Sequence, residues 1–176
     1  ITADIARAPA YLFRPAQAWR FRWNKNTDTP LPPDEPAAPN PPDGVAISYL
    51  LSRAASGSIA LEVSDATTGE VIRSFSSADP PVAPIVGRNI PDYWIAPPSR
   101  LEASAGLHRF VWDLRYAAPP VEQRDYPMAA VAGNTPQTPQ GMFVLPGTYQ
   151  VRLTANGQSY RQAVTVRMDP RVRASV

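Results

Sequence analysis

Apolar and polar residues alternate with period two along several segments of this chain, and few folds accommodate that pattern. In residues 106–116 (GLHRFVWDLRY), four large side chains fall on one side of an extended chain: Phe110, Trp112, Leu114 and Tyr116. Residues 145–155 and 159–168 repeat the alternation. Because successive side chains of a strand point to opposite faces, these segments are predicted to be strands of a half-buried antiparallel sheet.

Two turn signals join predicted strands into hairpins. Asn156 and Gly157 separate the last two alternating segments, and this dipeptide is typical of a type I′ turn, whose central positions both need positive φ. The run DATTG at 65–69 predicts a second hairpin with a loop of about five residues. With residues 11–23 and 45–51 added, about seven strands and no alternation with helices predict an antiparallel β-sandwich.

Proline divides the chain into regions. Its 22 prolines lie mostly between the alternating segments, so the strands are predicted to be joined by long Pro-rich connections. We predict an N-terminal segment with one strand at 1–23, a Pro-rich linker at 24–42, the sandwich at 43–172 and a tail at 173–176. The linker composition favours a solvated spacer, and a Pro-rich ligand for a partner is the alternative.

The predicted core consists of the apolar residues that share one face of each alternating segment. Nine residues are assigned to it: Leu61, Val63, Phe110, Trp112, Leu114, Val151, Leu153, Val164 and Val166.

Charge and composition exclude several classes of function. The formal net charge is only +2, and the 17 basic residues are scattered along the chain, so a nucleic-acid-binding surface is not expected. No apolar run approaches the ~20 residues of a membrane-spanning helix. The chain has no cysteine and one histidine, which excludes disulfides, thiolate metal sites and multi-histidine metal sites. No cofactor is expected.

The residues that carry catalysis in other proteins are not grouped in this sequence. His108 lies at the start of a predicted strand and is assigned a structural or exposed role. Asp113 is expected on the sheet face opposite Trp112, near Arg109 and Arg115, in a cross-strand ion pair. The other carboxylates considered lie in turns, in the linker or at a strand exit: Asp65, Glu70, Asp34, Glu35 and Asp169. We therefore predict no active site in this chain.

Four aromatic residues are candidates for ligand binding or docking: Trp19, Trp23, Tyr93 and Trp94. Flat rings with polar edges suit a carbohydrate-binding platform if they are exposed together. Alternatively, Trp19 and Trp23 line the core side of the first strand, and Tyr93 and Trp94 anchor a long connection. Solvent exposure of the rings distinguishes these two interpretations.

Several segments resemble a known family in their order along residues 40–172. They are NPPDGVAISYLL, LEVSDATTGEVIRSF, DYWIAPP, GLHRFVWDLRY, LPGTYQVRL and MDPRV. Together they resemble the region that follows the β-propeller in large bacterial sortilin-like, BNR-repeat proteins, which are often labelled glycosyl-hydrolase-like. The propeller itself is not in this sequence, so the hydrolase label does not transfer to these residues.

The resemblance implies an immunoglobulin-like or fibronectin type III-like sandwich without catalytic residues. It also implies a tyrosine corner at residues 145–149, which makes Tyr149 structural. We expect an accessory module whose partners are neighbouring domains of the same parent chain. Its docking face is expected to contain Tyr11, Phe13 and the aromatic face of the first strand, formed by Trp19, Phe21 and Trp23. Carbohydrate is the alternative ligand. Since the chain begins at Ile1, it is expected to be a segment of a longer exported protein, whether periplasmic, cell-surface or secreted.

Overall fold

The chain is built from strands in two sheets. The structure, a computed structural model, describes residues 2–22, 34–36, 38, 41–82, 87, 90–95, 97–122, 124–126 and 137–173. Helix within these ranges is confined to α1 (Ala3–Arg7) and one 3-10 turn (Asp92–Trp94). The strands are β1 (Ala10–Leu12), β2 (Ala18–Arg20), β3 (Val45–Leu51), β4 (Ala60–Asp65), β5 (Val71–Ser76), β6 (Gly106–Trp112), β7 (Gly147–Ala155) and β8 (Gln158–Met168). The prediction of an all-β fold is confirmed.

The strands form a three-stranded sheet in the order β1-β3-β6 and a five-stranded sheet in the order β2-β8-β7-β4-β5. All neighbouring strands are antiparallel except β2, which runs parallel to β8. β1 and β8 meet although they belong to different sheets, since Gln162 Nε2 donates to the carbonyl of Leu12 at 3.1 Å. This contact joins the two layers along one side.

The N-terminal segment differs from its prediction, because residues 11–23 form two short strands instead of one. Pro15 lies between β1 and β2, and proline has no N–H to continue a ladder. Within β2, Ala18 is the buried residue, whereas Trp19 is half-buried and pairs with Arg167. The interpretation in which Trp19 lines the core is therefore wrong. Trp23 lies outside the described residues.

The domain boundaries drawn from the sequence stay predictions. Most of the linker at 24–42 and the last three residues of the tail at 173–176 lie outside the described residues.

The core lies between the two sheets, and all nine residues predicted to form it are buried. The largest is Trp112, which is 0% exposed. Its ring meets that of Tyr149 edge to face at a centroid distance of 5.5 Å. Its Nε1 donates to the carbonyl of Arg115 at 3.1 Å, so the one polar atom of the indole is satisfied. The core therefore has no unpaired group at its largest side chain.

The strand predicted at 106–116 ends earlier, at Trp112. Leu114 takes a positive φ of 59° and remains buried, because the chain turns there and pairs with a later segment. The amide of Val144 donates to the carbonyl of Leu114 at 2.8 Å, and that of Tyr116 to Met142 at 3.0 Å. Beyond this turn, Arg115 forms an isolated antiparallel bridge with Phe143, outside β6.

Both predicted hairpins are present. Asn156 and Gly157 have φ values of 51° and 76°, and they connect the paired residues Ala155 and Gln158 of β7 and β8. The other hairpin turns between Asp65 and Val71. There, Asp65 Oδ1 accepts from the amides of Thr67 and Thr68 at 2.7 and 2.9 Å.

The turn at Asp65 predicts a specific pH dependence of stability. The backbone N–H groups of Thr68 and Thr67 lower the pKa of Asp65, because they favour its ionised form. An unfolded aspartate has a pKa of about 3.9, so this stabilisation is complete above that pH and is lost as the pH falls through the lower pKa of the folded protein. At pH 7, Asp65→Asn should therefore have a lower melting temperature than the unsubstituted chain. The difference in melting temperature should narrow towards pH 2. Thermal unfolding followed by circular dichroism measures this, and a constant difference would contradict it.

Candidate docking surface

The three-stranded sheet turns one face to the core and the other away from it. Along β3, buried and half-buried residues alternate strictly, and β6 has the same phase from Arg109 to Trp112. The side chains on the second face are mainly apolar, with only small residues, Ala46 and Ser48, between them. We call this surface the outer face and define it by Tyr11, Phe13, Leu50, Leu107, Arg109 and Val111.

The strand register arranges the outer face in rows. Tyr11 of β1 lies opposite Leu50 of β3, which lies opposite Leu107 of β6. Residues opposite each other on one face of a sheet are within side-chain contact, so these three form a continuous apolar row. Phe13 lies in the next row, beside Ser48, and its ring meets that of Tyr11 edge to face at 4.9 Å. Leu107 is 59% exposed, which is high for a leucine in a strand.

The five-stranded sheet has the opposite character on its solvent side. Its outward positions on β4, β7 and β8 are polar apart from Ala60 and Ala163, and Arg152 pairs there with Glu62 of the neighbouring strand. Examples of these positions are Glu62, Gln150, Arg152, Thr154, Arg161 and Thr165. An antiparallel sheet that faces water usually shows this pattern of apolar residues inside and polar residues outside. The outer face departs from the pattern, since its apolar residues are half-buried and Leu107 is exposed. Contiguous apolar surface of this kind marks interaction sites.

The aromatic residues proposed from the sequence as a carbohydrate platform occupy different parts of the fold. Trp19 is half-buried at the edge of the five-stranded sheet, and Trp94 is half-buried in the connection between β5 and β6. Tyr93 belongs to the same 3-10 turn as Trp94, but its side chain lies outside the described set, as does Trp23. The carbohydrate platform stays a prediction. Tyr11 and Phe13, expected to contribute to docking, do lie side by side on the outer face. Trp19, expected in the same docking face, lies in the five-stranded sheet instead, because the chain changes sheets between β1 and β2.

Several of the ionisable groups weighed as catalytic candidates have structural partners. His108 Nε2 lies 2.8 Å from the carbonyl of Ser104, and its ring is 5.3 Å from that of Tyr49. Asp113 lies 4.0 Å from Arg73 of β5 and accepts from the amide of Arg115 at 3.2 Å. Asp113 lies beside Arg115 as expected, but its ion pair is made with an arginine of the other sheet, because β6 has ended before residue 113. Asp169 forms a two-oxygen pair with Arg171.

Three arginines hold the long connection between β6 and β7 against the sheets. Arg20 donates to Val144 O at 3.1 Å, Arg73 to Tyr116 O at 3.1 Å and Arg115 to Gly141 O at 2.7 Å. The guanidinium of Arg115 also lies 3.5 Å from the ring centroid of Phe143. Each group satisfies a loop carbonyl, so these charges stabilise the connection.

Tyr49 anchors the connection between β5 and β6 from inside the core. Its hydroxyl donates to the carbonyl of Glu102 at 2.9 Å and accepts from the amide of the same residue at 2.8 Å. Burial raises the pKa of Tyr49, so the phenol is neutral and can donate at physiological pH. The segment before β6 is thereby fixed beside the core.

Within the described ranges, no three histidine, cysteine or acidic side chains are grouped in a way that could hold a metal ion. None of the helices in the same ranges is both long and apolar enough to span a membrane. Comparison of the chain with protein-family models, with curated proteins and with solved structures finds no match in any of the three.

Sequence reasoning identified Tyr11 and Phe13 but missed Leu50, Leu107, Arg109 and Val111. A signal for Leu50 exists in β3, whose sequence VAISYLL is apolar in both phases of the alternation, apart from one serine. A strand that reads as continuously apolar is usually covered on both faces. This pattern could have predicted a partner-facing surface.

Proposed function

We propose that this chain is a non-catalytic accessory β-sandwich module of a larger exported bacterial protein. It supports or presents a neighbouring domain through protein–protein contacts. In the sortilin-like, BNR-repeat family that the sequence resembles, that neighbour is a β-propeller. The observation that carries the proposal is the apolar outer face, which lies on a sheet whose other face already packs on the core.

The strand order supports an immunoglobulin-like identity for the module. In immunoglobulin-type sandwiches, strands A, B and E share one sheet, and C, F and G share the other. The assignment of β1, β3 and β6 to A, B and E, and of β4, β7 and β8 to C, F and G, reproduces this division. At the start of β7, Tyr149 Oη donates to the carbonyl of Leu145 at 2.6 Å, which is the geometry of a tyrosine corner.

The non-catalytic part of the proposal rests on the structural use of the ionisable groups. His108, Asp65, Asp113 and Asp169 each have a partner that accounts for their position. We expect the isolated chain to hydrolyse neither chromogenic glycosides nor peptides at neutral or mildly acidic pH. Turnover that disappears on replacement of a single carboxylate would contradict this expectation.

The docking part of the proposal is tested by titration calorimetry with the neighbouring domains of the natural reading frame, each expressed separately. Leu107→Glu places a charge in the apolar row and should weaken binding about tenfold or more, since a buried unpaired carboxylate is costly. Val71→Glu is the matched control, because Val71 is similarly exposed, at 50%, but lies in the five-stranded sheet. If the two variants bind equally well, the outer face is not the contact.

A further inference from the structure

The outer face carries positive charge and no negative charge. The sequences of β1, β3 and β6 contain no aspartate or glutamate, and Arg109 is the charged residue among the six that define the surface. Across the sheet from Arg109 lies Ser48, whose carbonyl accepts from the amide of Phe13. Arg109 therefore belongs to the row next to Tyr11, Leu50 and Leu107.

Arg109 differs from the arginines that hold a connection or pair across a sheet. Arg20, Arg73, Arg115 and Arg152 each bind a carbonyl or a carboxylate. Within the part of the chain that the structure describes, the guanidinium of Arg109 has no hydrogen-bond or ion-pair partner. Among the described residues, it shares this lack of a partner with Arg161 and Arg167, which lie among the polar positions of the five-stranded sheet. Arg109 is exposed and lies between the apolar Leu107 and Val111 on the same face of β6, opposite Ser48 of β3.

We infer that the partner of the outer face is a folded protein surface that places an aspartate or glutamate, within an apolar patch, opposite Arg109. This inference rests on the proposed function. Burying the outer face removes water from the guanidinium, and an unpaired buried charge is strongly unfavourable, so the partner must supply an acceptor. A carboxylate is the acceptor that matches the two-donor fork of arginine.

Charge also argues against a second copy of this chain as the occupant. A twofold-related copy would present the same face, with a second Arg109 and no carboxylate. The composition fits a protein partner, because interface centres are enriched in aromatic residues and arginine and depleted in lysine, glutamate and aspartate.

The test is titration calorimetry of the neighbouring domain with Arg109→Glu, Arg109→Lys and the control Arg167→Glu. Arg167 is exposed on the five-stranded sheet, and equal melting temperatures of the variants establish that they fold. We expect Arg109→Glu to weaken binding about 30-fold or more, Arg109→Lys to weaken it less, and Arg167→Glu to have little effect. The affinity of the unsubstituted chain for the neighbouring domain should also decrease as NaCl is raised from 50 to 500 mM, because salt screens a charge pair at an interface.

Other outcomes separate this inference from the proposed function. If Leu107→Glu abolishes binding while Arg109→Glu behaves like Arg167→Glu, the docking face stands and the acidic partner is wrong. If neither outer-face variant alters binding, the proposed function fails as well. Sedimentation velocity tests for a second copy of the chain as the partner. If the chain forms concentration-dependent dimers and Leu107→Glu dissociates them, the inference is overturned in favour of a second copy. Arg109-dependent binding to vesicles of phosphatidylcholine and phosphatidylglycerol, without domain binding, would overturn it in favour of a membrane.

Discussion

Replacement of Trp112 with alanine should lower the free energy of unfolding by about 3 to 5 kcal/mol. The side chain is fully buried, and its removal leaves a cavity between the sheets that neighbouring strands cannot fill by a small shift. The variant also loses the edge-to-face contact with Tyr149 and the hydrogen bond from Nε1 to the carbonyl of Arg115. Urea-induced unfolding followed by far-ultraviolet circular dichroism measures the change.

Trp19→Ala is the control for Trp112→Ala. It removes the same side chain from a half-buried position in a three-residue strand at the sheet edge. Its cost should be less than half that of Trp112→Ala, because the side chain is only partly removed from water in the folded protein. Equal losses in the two variants would show that Trp112 is not the centre of the core.

Gly44→Ala should also destabilise the fold severely, by roughly 3 kcal/mol, from backbone strain combined with a steric clash. Gly44 precedes β3 with φ at 132°, a conformation that residues with a side chain rarely adopt. A β-carbon there would lie 2.0 Å from the carbonyl oxygen of Trp112. Relief of that overlap requires the end of β6 to separate from the start of β3, next to the largest core residue.

Gly57→Ala is the matched control for Gly44→Ala. A β-carbon at Gly57 would have no atom within 4 Å, and its φ lies outside the positive range. The substitution should be neutral or stabilising by up to about 1 kcal/mol, since alanine restricts the unfolded chain. Urea unfolding of both variants is the measurement, and a Gly44→Ala protein as stable as Gly57→Ala would contradict the close approach of β3 and β6.

The sequence predicted the elements whose signals are local. The hairpin of β7 and β8 follows from alternation on both sides of Asn156 and Gly157, where positive φ is intrinsic to the residue types. The core was predicted from the apolar residues at alternate positions of each strand, because these residues share the face that is buried. Tyr149 was identified through the segment that precedes it, because its hydroxyl bonds only four residues back along the chain.

Features set by distant parts of the chain were not predictable in this way. The parallel pairing of β2 with β8 joins residues about 150 positions apart and has no local signal. Leu114 adopts a positive φ that its residue type disfavours, because residues 142–144 pair with the segment that follows the turn. The outer face is formed from three strands, so its continuity depends on their register and not on any one segment.

Hydroxyl-radical footprinting of the outer face tests the docking role most directly. The isolated chain and the complete protein encoded by the natural reading frame would be oxidised in parallel and compared by mass spectrometry. Tyr11, Phe13 and Leu107 should be modified in the isolated chain and protected in the complete protein, whereas the exposed Met142 serves as the internal reference. Equal modification of the outer-face residues in both samples would contradict the account.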